Sequence, residues 1–168
     1  MIYGFFHVNE RGQPATKIQY LELLNGFERY ICGPDEQSYD PSDLKFIQKV
    51  DEWQRSGKPE WLRKSQKLIT EAYIAGERRY LSTKASLGNA KIWAAAFRKR
   101  LNQIPEEKSH LPIPWAVSEI GWTVSPIKRR HQHESHSSSN NLMNMFEALG
   151  AITIKGTLLS PETFSMKW

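Results

Sequence analysis

The sequence predicts an α+β fold, in which helices flank a small mixed or antiparallel sheet of about three strands and a large helical insertion interrupts the chain. Segments rich in β-branched and aromatic residues lie near both ends of the chain. Apolar residues recur at helical spacing through most of the middle. Pro105, Pro112 and Pro114 then separate this middle from the C-terminal third, because proline fits neither a helix interior nor a central strand.

The first elements are a strand over residues 2–9 and a helix that begins at Thr16, since threonine is a good N-cap. The helix runs to about Arg29 and ends at Gly33-Pro34. Further helices are predicted from Ser42 or Asp43, over residues 60–80 and over residues 87–101. The last is capped by Ser82 or Thr83, and Trp93 and Phe97 lie on its core-facing side.

Residues 103–114 form a predicted linker, which is the best candidate for an internal boundary. Beyond it we expect a strand over residues 115–120, a turn at Gly121 and a helix opened by Ser125 or Pro126. A second helix from Asn140 or Asn141 ends at Gly150, and a strand covers residues 151–159. The 168 residues suit a single domain, with an α/β core of residues 1–9 and 115–168 and a mostly helical insertion of residues 10–114.

The formal net charge of +5 favours an acidic partner such as nucleic acid, although a solvated basic surface explains it equally well. Basic clusters support a polyanion and comprise Arg63, Lys64, Lys67, Arg78, Arg79, Arg98, Lys99 and Arg100. No membrane association is expected, because the longest apolar run falls far short of the roughly 20 residues of a span. The lone cysteine, Cys32, fits a reducing cytoplasmic location. The pattern indicates no particular oligomeric state.

The residues with the clearest chemistry follow the predicted strand over residues 115–120. Gly121 lets the chain leave the strand at dihedral angles that other residues avoid. Thr123 and Ser125 offer hydroxyls at a helix start, where free N–H groups and the helix dipole favour anions. These three residues therefore predict an anion-binding turn.

The predicted helix after this turn carries a basic and imidazole face. Arg129 and His133 are four residues apart and share that face. A guanidinium neutralises charge that develops on phosphate, and an imidazole exchanges a proton near pH 7. Lys128 and Arg130 lie on neighbouring faces and can hold flanking phosphates. The alternative interpretation is an ordinary solvated basic surface.

The order Glu119-Ile120-Gly121, Thr123, Arg129, His133 resembles the second half of the core of the GIY-YIG nuclease superfamily. The resemblance covers about residues 118–159, and Met1-Ile2-Tyr3 stands at the place of the family's first motif strand. It implies that Arg129 and His133 are catalytic, that Tyr3 and Glu119 flank the scissile phosphate, and that His136 matches a further functional histidine of some members. Ser137, beside it, joins the predicted phosphate-binding residues.

Two departures from the family pattern concern catalysis. The tyrosine of the YIG motif is Glu119 here, and the family's metal-binding glutamate has no counterpart in its usual context. The resemblance implies Mg²⁺ or another divalent cation, for which Glu119 or Glu162 is the candidate ligand. The leading hypothesis is metal-assisted phosphodiester cleavage in nucleic acid. The alternatives are a non-catalytic nucleic-acid-binding or regulatory protein, and an enzyme of another class with a small anionic substrate.

Overall fold

The structure is a computed structural model that describes residues 2–8, 12–31, 41–53, 78–81, 83–115, 117–122, 125, 127–128, 131–132, 141–154 and 160–166. Its helices are α1 (Lys17–Ile31), α2 (Pro41–Glu52), α3 (Lys84–Asn102) and α4 (Asn141–Thr153), with a 3-10 turn at Glu106–Lys108. Its strands are β1 (Ile2–Val8), β2 (Ser118–Trp122) and β3 (Ser160–Met166). The strands pair antiparallel in the order β2-β1-β3.

The predicted fold class, an α+β fold with helices flanking a sheet, is wrong, because the packed body of the protein is helical. Helices make up most of the described residues. The apolar core is built from α1 to α4 and from the segments beside them. Val8 at the end of β1 is buried as well, but it does not belong to this cluster. Burial of helix faces therefore organises the described core.

Helix α1 is the centre of the core and contacts α2, α3 and α4. Its start is a reciprocal capping box: the Gln19 N–H donates to Thr16 Oγ1 at 3.3 Å, and the Thr16 N–H donates to Gln19 Oε1 at 2.9 Å. The predicted cap at Thr16 is confirmed, and the helix continues two residues past Arg29. The fully enclosed side chains of α1 are Tyr20, Leu23, Leu24, Phe27 and Tyr30.

Helix α3 contributes an aromatic cluster to the core. The Phe97 ring lies between 4.9 and 6.2 Å, centroid to centroid, from the rings of Tyr20, Trp93, Trp115 and Phe146. The prediction that Trp93 and Phe97 are core residues is confirmed, because Phe97 is buried and Trp93 packs against the core. The predicted cap at Thr83 is confirmed as well, since its side chain accepts from the backbone N–H of Ser86.

The segment predicted as a linker packs against the start of α1. The Ile113 N–H donates to the Ala15 carbonyl at 3.2 Å, and Ile113 is buried. The buried Lys17 ammonium donates to the carbonyl of Ile104 and pairs with Glu106, each at 2.9 Å. These contacts fix Trp115, and with it the approach to β2, relative to α1. The division of the chain into core and insertion stays a prediction.

Two predicted elements are corrected. Helix α4 does not end at Gly150 but continues to Thr153, so the predicted strand over residues 151–159 is wrong for residues 151–153. The buried Gly150 lies within the helix, and Ile152 and Ile154 pack against the apolar core. Residues 78–80 were predicted to be helical and are not, because their backbone groups join a polar cluster with α1 and α2.

A glycine marks the close approach of α1 to α4. A Cβ atom at Gly26 would lie 2.8 Å from the Cγ2 atom of Thr153 and 3.3 Å from the ring of Phe46. We expect Gly26→Ala to lower the free energy of unfolding by about 1–3 kcal/mol, because overpacking outweighs the better helix propensity of alanine. Urea denaturation measures the difference.

The matched control is Gly88 in α3, where an added Cβ atom would meet nothing within 4 Å. Gly88→Ala is expected to raise the free energy of unfolding by roughly 0.5–1 kcal/mol through helix propensity alone. Equal stabilisation by the two substitutions would show that α1 and α4 do not approach so closely at Gly26.

Candidate functional site

The chain segments that the resemblance brings together are paired as neighbouring strands. Tyr3 of β1 lies opposite Gly121 of β2, and Phe5 lies opposite Glu119. Residues two apart on a strand belong to the same face. Positions 3 and 119 therefore share a face as diagonal neighbours, with Cα atoms on the order of 7–8 Å apart. The two positions are thus neighbours on one face of the paired strands.

The same register separates the two candidate metal ligands. Glu162 of β3 lies opposite Phe6, whereas Glu119 lies opposite Phe5. Because Phe5 and Phe6 are consecutive, positions 119 and 162 belong to opposite faces of the paired strands. Glu119 and Glu162 are therefore alternatives, and only Glu119 shares a face with Tyr3. The residues that the structure describes contain no group of three or more His, Cys, Asp or Glu that could hold a metal ion.

Gly121 does not occupy the predicted turn. It lies inside β2, which continues to Trp122, so the strand extends two residues past its predicted end. Ser125 is described and exposed, and its role in anion binding stays a prediction.

The helix predicted after Ser125 is described only at residues 127–128 and 131–132, which have helical backbone. Lys128 and His131 are exposed there. The other predicted site residues of this region lie outside the described residues, and their roles stay predictions. They are Thr123, Arg129, Arg130, His133, His136 and Ser137.

The basic clusters differ in their surroundings. Arg98 makes a two-pronged ion pair with Glu28, in which Nε and Nη2 donate at 2.9 and 2.8 Å, so its charge is already compensated. Lys99 and Arg100 are exposed, and the Arg100 guanidinium lies 4.0 Å from the centroid of the Trp115 ring. The predicted cluster of Arg63, Lys64 and Lys67 lies outside the described residues.

Sequence reasoning missed a buried polar cluster, which we call the Asp51 cluster and which comprises Tyr30, Asp51, Arg78, Arg79 and Tyr80. The fully buried Asp51 carboxylate accepts from the Tyr30 hydroxyl and, at 3.2 Å, from the backbone N–H of Arg79. The Arg79 guanidinium donates to the Asp51 carbonyl at 2.9 Å. The Arg78 Nε donates to the Tyr30 carbonyl at 3.3 Å, and the Tyr80 N–H donates to the Tyr30 hydroxyl. The cluster joins the end of α1, the end of α2 and residues 78–80.

Burial shifts the titration of the groups in this cluster. It raises the pKa of Asp51 to about 6, against the lowering effect of the Tyr30 and Arg79 hydrogen bonds and of the positive charges of Arg78 and Arg79. Burial and the neighbouring Asp51 charge also raise the pKa of Tyr30 well above its ordinary value. A carboxyl that titrates near neutrality suits proton transfer. Asp51, however, has 0% exposure, so the cluster serves the fold and not a substrate.

A signal for this cluster was present in the sequence. Asp51 follows Ile47 by four residues and therefore lies on the apolar face of α2, where an acidic residue needs polar partners. The interpretation of Arg78 as part of a cationic surface is wrong, because Arg78 is 4% exposed. Glu147 is buried in α4, where its negative charge contributes to a raised pKa of Tyr80, although burial is the main cause.

Comparisons of the chain with protein-family models, with curated proteins and with solved structures gave no match. The resemblance to the GIY-YIG superfamily therefore stays a prediction. In the part of the chain that the structure describes, no helix has the length and apolar character needed to cross a membrane.

Proposed function

We propose that the protein binds nucleic acid and cleaves its phosphodiester backbone with the help of a divalent cation. The observation that carries the proposal is the antiparallel register of β1 and β2. It gives Tyr3 and Glu119, which are distant in sequence, a common face beside Gly121. The chain then runs from β2 directly into the segment that contains Arg129 and His133.

Each residue of the proposed site has a distinct role. Arg129 stabilises the charge that grows on the phosphate in the transition state. His133 accepts the proton that the attacking water loses or orients that water, and His136 assists it. Tyr3 and Glu119 flank the scissile phosphate.

Glu119 is the proposed metal ligand, with Glu162 as the alternative on the opposite face. One carboxylate suits Mg²⁺, because this ion is commonly held by one or two carboxylates together with substrate phosphates and water. When bound, such an ion would activate water and stabilise the leaving oxygen. The family has a tyrosine at this position of the motif, and the carboxylate of Glu119 would attract the cation in its place.

In this proposal, residues around the catalytic centre bind the phosphate backbone of the nucleic acid. The formal net charge of +5 and the exposure of Ser125 and Lys128 support it. Contacts of this kind bind phosphates without reading the base sequence. The proposed phosphate-binding residues are Thr123, Ser125, Lys128, Arg130 and Ser137, without Gly121, which lies inside β2. A reducing, cytoplasmic location completes the proposal and is supported by the lone Cys32.

The test incubates DNA and RNA with the protein, with and without Mg²⁺ or Mn²⁺, beside the His133→Ala variant. We expect metal-dependent products from the wild type and a loss of about 10²–10⁴-fold in the rate of the variant, because a positioned acid or base contributes that much. The matched control is His131→Ala, which removes an exposed imidazole two residues earlier and should keep the wild-type rate. Equal rates for wild type and His133→Ala would remove His133 from the mechanism.

The replacement of the motif tyrosine by Glu119 favours a second candidate, a nucleic-acid-binding or regulatory protein without catalysis. This candidate predicts salt-sensitive binding with no metal-dependent products in the same experiment. An enzyme of another class with a small anionic substrate predicts that a polynucleotide does not compete for the pocket. The three outcomes are mutually exclusive.

A further inference from the structure

We propose that Lys99 and Arg100, with the Trp115 ring beneath Arg100, bind the phosphate backbone of the polynucleotide outside the proposed cleavage site. This inference rests on the proposed function and names a second contact for the same strand. It follows from three observations: a guanidinium seated on a fixed aromatic ring, two cations without a described ion pair, and a position close in sequence to β2.

The Trp115 ring is held by the core and in turn fixes the Arg100 guanidinium. Tyr20 lies nearly parallel to the Trp115 ring, with an interplanar angle of 16° and centroids 6.3 Å apart. Phe97 meets the ring edge-on at 5.6 Å. The Arg100 guanidinium sits 4.0 Å from the ring centroid. A guanidinium held in this way loses less conformational freedom when it binds a phosphate.

Lys99 and Arg100 differ from the neighbouring cationic side chains in having no described carboxylate partner. Arg98 is paired with Glu28, and Lys17 is paired with Glu106. Among the described residues, no carboxylate lies within ion-pair distance of Lys99 or Arg100. Both residues are exposed. Adjacent cations of this kind attract a phosphate backbone independently of base sequence.

A structural role is the alternative explanation for these cations. Lys99 and Arg100 lie in the last turn of α3, where positive charge offsets the partial negative charge of a helix C-terminus. That role predicts a change in stability when the charge is removed and no change in binding. The two explanations therefore separate in a binding experiment.

The position of Trp115 sets the length of polynucleotide that can contact both places. Gly121 follows Trp115 by six residues (121 − 115), and six extended residues span at most about 20 Å. With one phosphate per roughly 3.4 Å along a strand, this distance corresponds to about six nucleotides. A strand longer than about six nucleotides can thus reach Arg100 from the proposed cleavage site, since about 20 Å is the upper limit of the separation.

The test measures fluorescence anisotropy of labelled single-stranded oligonucleotides of about 4 and about 12 nucleotides, at several salt concentrations. Arg100→Gln is expected to weaken binding of the longer oligonucleotide roughly threefold to tenfold and to reduce its salt slope by about 0.7, the value for one lost phosphate contact. A smaller loss is expected for the shorter oligonucleotide, whose four nucleotides span only about 14 Å and so fall short of the largest possible separation of the two places. Lys91→Gln is the matched control, because it removes one exposed charge from the same helix, and it should leave both affinities unchanged.

Each other outcome overturns the proposal in a recognisable way. Equal losses for Arg100→Gln and Lys91→Gln would mean that only net charge matters. Wild-type binding by Arg100→Gln would remove this contact and leave the proposed function intact. Wild-type affinity for both oligonucleotides, together with a lower melting temperature, would assign Arg100 a structural role. No binding by the folded wild-type protein would overturn the proposed function as well.

Discussion

Asp51→Ala is expected to destabilise the protein by about 3–5 kcal/mol, the cost of removing one partner from a buried, charged hydrogen-bond network. The substitution leaves the buried Tyr30 hydroxyl and the Arg79 backbone N–H without their acceptor. It also removes the negative charge that faces the buried Arg78. Thermal and urea denaturation of the variant and the wild type measure the loss.

Asp51→Asn is the matched control, because it keeps the shape of the side chain and one acceptor oxygen. The new amide group can donate to the Tyr30 hydroxyl, which accepts as well as donates. We therefore expect a smaller loss than for Asp51→Ala. Wild-type stability of Asp51→Ala would show that the Asp51 cluster does not hold the ends of α1 and α2 together.

The pKa of Asp51 gives the same comparison a pH dependence. Its pKa is about 6 in the folded protein, above the ordinary 3.8, so the folded state binds this proton more tightly than the unfolded state. The tighter proton binding by Asp51 in the folded state raises the free energy of unfolding. This contribution is complete below the pKa of the unfolded state and is lost as the pH rises through about 6. Between about pH 7 and about pH 5 we expect the wild type to gain on the order of 1 kcal/mol relative to Asp51→Asn. Parallel stability curves for the two proteins would contradict the raised pKa.

Arg129→Ala is expected to lower the rate of nucleic-acid cleavage by about 10³-fold or more, because a single guanidinium aimed at a transferring phosphoryl group has effects of that size. Binding should weaken as well, since one phosphate contact is lost. Single-turnover rates and dissociation constants, measured on the same oligonucleotide, separate the two effects.

Lys128→Ala is the control for this substitution. It removes a neighbouring exposed cation that we assign to flanking phosphates and not to the reacting one. Its expected effect is a modest loss of affinity with a nearly unchanged single-turnover rate. Unchanged cleavage by Arg129→Ala would exclude Arg129 from the mechanism and favour a non-catalytic role for this segment.

The parts of the fold that follow from local signals were predictable. Thr16 and Thr83 are good N-caps with a polar side chain three residues later, and both begin helices as expected. Trp93 and Phe97 are four residues apart, and this spacing predicts their place in the core. Such signals depend on neighbouring residues alone.

The predictions that were wrong concern features that depend on contacts between residues distant in sequence. The α+β class was predicted from strand-like segments, but burial among α1 to α4 determines the described core. Glycine is typical of helix ends, but Gly150 lies within α4. Arginine is typical of the surface, but the buried Arg78 donates to the Tyr30 carbonyl. Packing overrides local propensity at these places.

The candidate site was predictable only as a set of residues. The sequence proposed that Tyr3 and Glu119 come together, but the register that separates Glu119 from Glu162 comes from the strand pairing. A shift of one residue exchanges the two faces of a strand, and no local pattern fixes that register when few alternating residues are available.

The central claim, that the protein binds a polynucleotide through its basic segments, is tested most directly by the dissociation constant of the wild type for a labelled oligonucleotide across a range of salt concentrations. The account predicts binding at low salt and a linear fall of the logarithm of affinity with the logarithm of salt concentration, with a slope that corresponds to several phosphate contacts. Folded protein that binds no DNA or RNA at low salt would contradict it.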